Sequence, residues 1–315
     1  MAKHFVKKYD FLFAFLGKKP IFAAFINDKL MMKSLLWFLA FLPSQDASAP
    51  EAAKLLSAGS LPQAEAALNG EYHELVFSDE FDQPDGSRPD TAKWVCCKRY
   101  NAGWNRWISP SPDVAFIEDG HLVCRAIPNY DLEADTAQML TGAIETRGKF
   151  AFQYGRVEVR MRTNLRQGNF PAAWMVPDYN GEDKRYGEID IVEMFGTENM
   201  SAHTVHTHRT YTLKKGGIKN DRRHKVAVDE WHVYGVTWTK DRITWTVDGR
   251  EVLNYDKIDT PQMKEEGQWT FDRPFYIRLN QSVGTGNYEV LIPHTDEVYE
   301  TQFDWIRVYS DESAP

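Results

Sequence analysis

The chain has 315 residues, with 45 acidic and 37 basic side chains and a formal net charge of −8. That sign opposes nucleic-acid binding, which needs a basic surface to neutralise phosphates. Hydrophobic residues make up 43%, enough for a substantial core, and no apolar run reaches the roughly 18 residues of a transmembrane span.

The N-terminal region reads as a leader. Met31-Met32-Lys33, the apolar stretch Leu35 to Leu42 and the small residues Ala47-Ser48-Ala49 have the order of a secretory signal. Residues 1–30 add a second basic-plus-apolar stretch, Lys7-Lys8 followed by Phe11 to Gly17. It is either text upstream of a true start at Met31 or Met32, or an unusual membrane-associated N-terminus. Export is the expectation, to a periplasmic, cell-surface or secreted location, although Pro50 disfavours a cut directly after Ala49. Residues 1–49 are thus the extension and signal, 50–71 an Ala-rich linker, 72–310 one domain and 311–315 a tail.

Three cysteines, Cys96, Cys97 and Cys124, include no Cys-x-x-Cys pair, which argues against a structural zinc site. In an exported chain Cys124 could pair with one of the others; the remaining alternative is buried thiols.

From Tyr72 onward the pattern is one of short alternating runs. Val114 to Ile117, the turn Glu118-Asp119-Gly120 and His121 to Ala126 read as strand, turn, strand. Tyr154 to Arg162 places Val157, Val159 and Met161 on one face and Glu158, Arg160 and Arg162 on the other. Trp231 to Trp238, a turn at Lys240-Asp241, Ile243 to Val247, the turn Asp248-Gly249 and Glu251 to Leu253 form successive hairpins. Phe303 to Tyr309 closes the chain. Many short strands over about 240 residues, without a linker to divide them, predict a single β-sandwich.

The segment Gly187-Glu188-Ile189-Asp190-Ile191-Val192-Glu193-Met194 carries the chemistry. Residues two apart on a strand share a face, so Glu188 and Asp190 point one way and Ile189 and Ile191 the other. Strict alternation would then drive Glu193 into the core, an expensive burial. A one-residue bulge near Ile191-Val192 resolves the conflict and returns Glu193 to the face of Glu188. Three acids in a row repel one another and raise each other's proton affinity. Glycoside hydrolysis needs such a set, with one acid protonated and another ionised, and in a retaining enzyme the two lie about 5–5.5 Å apart. The plainer alternatives are a solvated strand face or a cation site. Aromatic rings stack on sugar faces, and Trp104, Trp107 and Trp174 are candidate platforms; Trp231, Trp238 and Trp245 are expected in the core.

At this point the sequence resembles glycoside hydrolase family 16. The resemblance rests on Gly187 to Met194 and on Phe77 to Asp82, Tyr154 to Arg160, Phe170 to Trp174 and Asp304 to Tyr309, in the family's order. It implies an all-β jelly-roll sandwich of two antiparallel sheets, concanavalin A-like, with a concave substrate cleft. It further implies endo-acting hydrolysis with retention of configuration, Glu188 as nucleophile, Asp190 as its assisting acid and Glu193 as general acid/base. Glu158 and Arg160 match cleft-lining positions, and Asn280 is a further candidate contact. His206 and His208, expected on the neighbouring strand, share a face; one of them is expected near Asp190 or the substrate, and zinc binding by the pair is the lesser reading. Some family members hold a structural calcium away from the cleft, and Glu80, Gly120 and Asp304 are its candidate contributors here. No organic cofactor is implied, and the expected state is a monomer acting on a polysaccharide.

The expected substrate is a β-1,3(4)-glucan such as laminarin or mixed-linkage β-glucan. Leu279 to Gly286 and Tyr100 to Arg106 depart from the usual laminarinase pattern. The alternative is an algal galactan of the agarase, porphyranase or carrageenase type. It draws on the basic cluster Lys214, Lys215, Lys219, Arg222, Arg223 and Lys225, which would suit sulfate groups beside the cleft. A second alternative is a non-catalytic glucan-binding lectin on the same fold.

Overall fold

The structure, a computed structural model, describes residues 74–179, 183–284 and 293–311. The expected leader (1–49) and linker (50–71) lie outside the described residues, as does the tail beyond Asp311.

Sixteen strands in the described residues form two sheets. The first has the order β14 (Arg250–Asp256), β13 (Arg242–Val247), β12 (His232–Trp238), β7 (Gly155–Thr163), β16 (Tyr299–Tyr309), β4 (His121–Pro128) and β3 (Ala115–Glu118). Two further strands join it, β1 (Leu75–Asp79) on β16 and β5 (Met139–Thr141) on β4. The second sheet has the order β11 (Asp221–Lys225), β10 (Met200–Thr207), β9 (Gly187–Met194), β8 (Asn169–Pro177), β15 (Phe275–Val283), β6 (Ala143–Glu145) and β2 (Val95–Cys96). Every named ladder is antiparallel. The result is the jelly-roll sandwich that the sequence implied.

Alternation explains the core. Val157, Val159 and Met161 of β7, with Tyr234, Val236 and Trp238 of β12, face Ile189 of β9, Met175 of β8 and Ile277 of β15 in one apolar cluster between the sheets. Each such side chain contributes about 1.5–3 kcal/mol when fully buried. Two of the three turns read from sequence are tight and left-handed: Asp119-Gly120 and Asp248-Gly249 all have positive φ, the backbone that two-residue hairpins require. Trp238 and Trp245 lie in the core as expected. Trp231 does not. It lies on the outside of the first sheet, stacked on His121 and beneath the guanidinium groups of Arg160 and Arg162.

The cysteines are free, with Cys97 and Cys124 buried, and burial pushes both of those thiols well up. The pairing of Cys124 is therefore replaced by the other alternative, thiols that pack as small apolar groups. Among the described residues no helix is long and apolar enough to cross a membrane.

Candidate active site

Strand β9 carries the bulge expected of it. Ala173 of β8 pairs with Val192 and the next residue, Trp174, pairs with Asp190, so Ile191 is the extra residue. On the other side Ala202 pairs with Glu193 and Thr204 with Asp190, leaving His203 opposite both Ile191 and Val192. Both of those side chains enter the core, and Glu193 returns to the outer face with Glu188 and Asp190. Cross-strand partners share a face. One row across the second sheet therefore runs Glu145, Arg278, Trp174, Asp190, Thr204 and Asp221, and the next runs Ala143, Asn280, Ala172, Glu193, Ala202 and Arg223.

The bulge is held from inside the sandwich. Trp245 of the opposite sheet donates its indole N–H to the carbonyl of Asp190 at 2.7 Å. His203, fully buried, donates Nδ1–H to the carbonyl of Ile191 at 2.7 Å, while its Nε2 is 3.0 Å from the hydroxyl of Ser201. A carbonyl only accepts, so Nδ1 carries the proton and Nε2 accepts from Ser201. Burial holds the His203 pKa down at about 4, which keeps this neutral tautomer.

The carboxyls sit in an unusual setting. Burial, then the charge of Asp190, push the Glu188 pKa up to about 8. Burial raises Asp190 to about 8 as well. Glu193 goes well above its usual range through burial and through the charges of Asp190 and Glu188. Opposing this, Tyr186 donates its hydroxyl to Glu188 at 2.5 Å. His206 Nε2 lies 3.5 Å from Glu188 and 3.4 Å from Asp190. Tyr186 is fixed by stacking on Tyr211, with ring centroids 3.9 Å apart. Ligand atoms of Glu188, Asp190 and His206 all lie within 4.8 Å of one another, a set able to hold a divalent cation.

Aromatic residues extend this face. Trp174 donates its indole N–H to Asn280 at 2.8 Å, and Asn280 in turn donates to Ser282. Trp104 stands edge-on to Trp174 with centroids 4.8 Å apart, and Arg278 lies over both rings. Thus Glu188, Asp190, Glu193, His206, Trp174, Trp104 and Asn280 come together, with Asn280 orienting the tryptophan.

Other candidates go elsewhere. Glu158 and Arg160 belong to β7, in the sheet opposite the carboxylates, on its outer face. Glu158 accepts from Arg156, and Arg160 pairs with Asp304. Their alternation was read correctly, but the alternation of one strand cannot say to which sheet it belongs. Trp107 lines a separate cavity and packs with Met139, Val283 and Tyr299. His208 leaves the strand: β10 ends at Thr207, which caps a π-helical turn over His208–Thr212, and His208 backs onto Gly267. The shared face with His206 ends there. Two of the calcium candidates make ion pairs with their side chains. Both oxygens of Glu80 accept from Arg307, and Asp304 is engaged by Arg160 with His121 beside it.

Tyr186, Arg278 and His203 were not identified from sequence as parts of this site. Tyr186 and Arg278 were within reach, since each lies two residues from a candidate, Glu188 or Asn280, and so shares its face. Nothing local marks His203 or Trp245 as a clamp.

A nine- plus seven-stranded sandwich with an acidic triplet on one sheet face defines a class, the glycoside hydrolases of jelly-roll fold. The family model described as Glycosyl hydrolases family 16 matches residues 116–306. The chain belongs to that family. It is 30% identical over 264 residues to a keratan-sulfate endo-1,4-beta-galactosidase of Sphingobacterium multivorum, a match covering 82% of this chain and 60% of that protein. It is 32% identical over 263 residues to a beta-glucanase of Rhodothermus marinus, covering 76% and 85%. Among solved structures, SCLam, a non-specific endo-beta-1,3(4)-glucanase from the same family, aligns with a TM-score of 0.66 at 27% identity, covering 76% of this chain and 91% of that one.

Proposed function

We propose that the chain is a retaining endo-hydrolase of a β-linked polysaccharide, with Glu188 as nucleophile, Glu193 as general acid/base and Asp190 adjusting the charge of Glu188. The carrying observation is the bulge at Ile191, which turns three acids to one face, Asp190 buried and Glu188 and Glu193 half-buried. Three such carboxyls cannot all ionise, and His206 and Tyr186 favour the negative charge at the Glu188 end. Glu193, held well above its usual range by burial and by the charges of Asp190 and Glu188, keeps its proton and gives it to the glycosidic oxygen as Glu188 attacks the anomeric carbon. The C–O bond to the leaving sugar breaks and a glycosyl ester forms on Glu188. Glu193, now ionised, takes a proton from water, which attacks the same carbon and releases Glu188 with net retention.

The first substrate in this reading is a β-1,3(4)-glucan. Likeness to the Rhodothermus beta-glucanase and to SCLam supports it. A second reading, a sulfated galactose-containing glycan, is favoured by a specific feature. Arg223 shares the outer face and the row of Glu193, where it pairs with Glu198, and Lys225 lies two residues along the same edge strand. Arg222 turns to the opposite side of that strand, and Lys215 is occupied by Glu266, so the cluster read from sequence divides. Likeness to the keratan-sulfate endo-galactosidase supports this second reading too.

Reducing-end release from laminarin, mixed-linkage glucan, agarose, carrageenan and keratan sulfate separates the two. Glu188→Gln should lower turnover by roughly 10³-fold or more on whichever substrate is cut, while sugar binding persists. Undiminished turnover in that variant rejects the assignment of Glu188.

A further inference from the structure

A cavity of about 370 Å³ lies apart from the carboxylates, lined by Arg99, Tyr100, Asn101, Arg106, Trp107 and Thr136. Its two arginines differ. Arg99 is neutralised by a two-pronged pair with Asp135 at 2.7 and 2.6 Å and also donates to the carbonyl of Ile108. Arg106 lies over the ring of Trp107, 4.0 Å from its centroid, and has no carboxylate partner among the described residues. Its Nε is buried without a hydrogen-bond acceptor. The guanidinium as a whole is only partly buried, so an oxyanion in the cavity could meet its outer nitrogens and supply the missing counter-charge. In a chain of net charge −8, an unpaired cation in a cavity is not a product of excess base.

The walls are firm. The Trp107 carbonyl accepts from Thr141, and Asn129 ties down the facing loop through the carbonyls of Asp135 and Ala137. Tyr100, 60% exposed, adds a ring and a hydroxyl at the rim. The same loop carries Trp104 at the catalytic face and Trp107 at the cavity, with Cα atoms at most about 11 Å apart along the chain.

We propose that this cavity binds an anionic substituent, a sulfate ester or a uronate carboxylate, on a glycan that leaves the catalytic face past Trp104. It rests on the second substrate reading, a glycan bearing negative groups. The test titrates the Glu188→Gln protein calorimetrically with keratan sulfate, desulfated keratan sulfate and hyaluronan fragments of matched length. Keratan sulfate carries sulfate without uronate, hyaluronan uronate without sulfate, and the desulfated chain neither. Keratan sulfate should bind roughly tenfold tighter than its desulfated form. Hyaluronan binding lost in Arg106→Ala extends the site to carboxylates, and its absence narrows the site to sulfate. Arg106→Ala should lower the preference severalfold, and any preference that remains is the share of Arg223 at the catalytic face. Asn101→Asp, which places a like charge in the cavity without truncating a packed side chain, should weaken it too. Binding blind to sulfation, or a preference unchanged in Arg106→Ala, overturns the proposal. Cleavage of keratan sulfate by the unsubstituted protein tests the substrate reading separately: preference without cleavage keeps the cavity and drops that reading.

Discussion

His206 stands within 3.5 Å of both Glu188 and Asp190, and when it carries charge it lowers the proton affinity of Glu188 against the upward push of burial and of Asp190. Removing it leaves only the upward causes and the donation from Tyr186. A nucleophile must be ionised, so a higher Glu188 pKa means a smaller active fraction at low pH. In His206→Ala the acid limb of the kcat/KM profile should therefore move to higher pH. The loss should be roughly tenfold at pH 6 for each unit of movement, and smaller at pH 8. His206→Asn, which keeps a polar side chain without the charge, should move the limb in the same direction. A limb that stays in place while activity falls evenly would mean that His206 only shapes the site. Glu193 responds to the same burial in the opposite functional sense, because the acid role needs its proton kept.

At the scale of the element, β9 works as a strand with one residue too many. The extra residue leaves ladder groups without their regular partners, and two core side chains take them up: Trp245 serves the carbonyl of Asp190 and His203 that of Ile191. Trp245→Phe keeps most of the ring volume and removes the N–H, leaving a buried carbonyl unmatched. It should cost about 1–3 kcal/mol in a denaturant titration and should lower turnover through the register of Asp190 and Glu193. A variant with full stability and full activity would show that the bulge holds itself. The bulge itself was legible in sequence because leaving Glu193 in the core is costlier than an irregular strand. Its clamps were not legible, since they reach it from 12 and 55 residues away and each looks like an ordinary core residue.

The whole molecule depends on where the chain passes between sheets. One crossing lies between β5 in the first sheet and β6 in the second, and Gly142 is the single residue between them. Its N–H donates to the carbonyl of Arg125 in the first sheet, and its carbonyl accepts from Gln281 in the second. A Cβ there would lie 1.8 Å from the carbonyl oxygen of Val114, so the backbone would have to move. Gly142→Ala should destabilise by about 3 kcal/mol or more, read as a lowered unfolding midpoint. An unchanged midpoint would show that the crossing can relax.

By itself the sequence determined which side chains share a face and which strand bears the acids, because a period of two and the cost of burying Glu193 are local facts. The family blocks added the jelly-roll. Only the tertiary structure decided which sheet each strand joins. That assignment moved Glu158 and Arg160 to the opposite sheet and ended β10 before His208. It also brought Trp104 onto Trp174 and set Arg106 over Trp107, without a carboxylate partner among the described residues. The physical reason is that pairing of strands far apart in sequence is fixed by the packing of two whole sheets, a sum over many contacts that no single segment encodes.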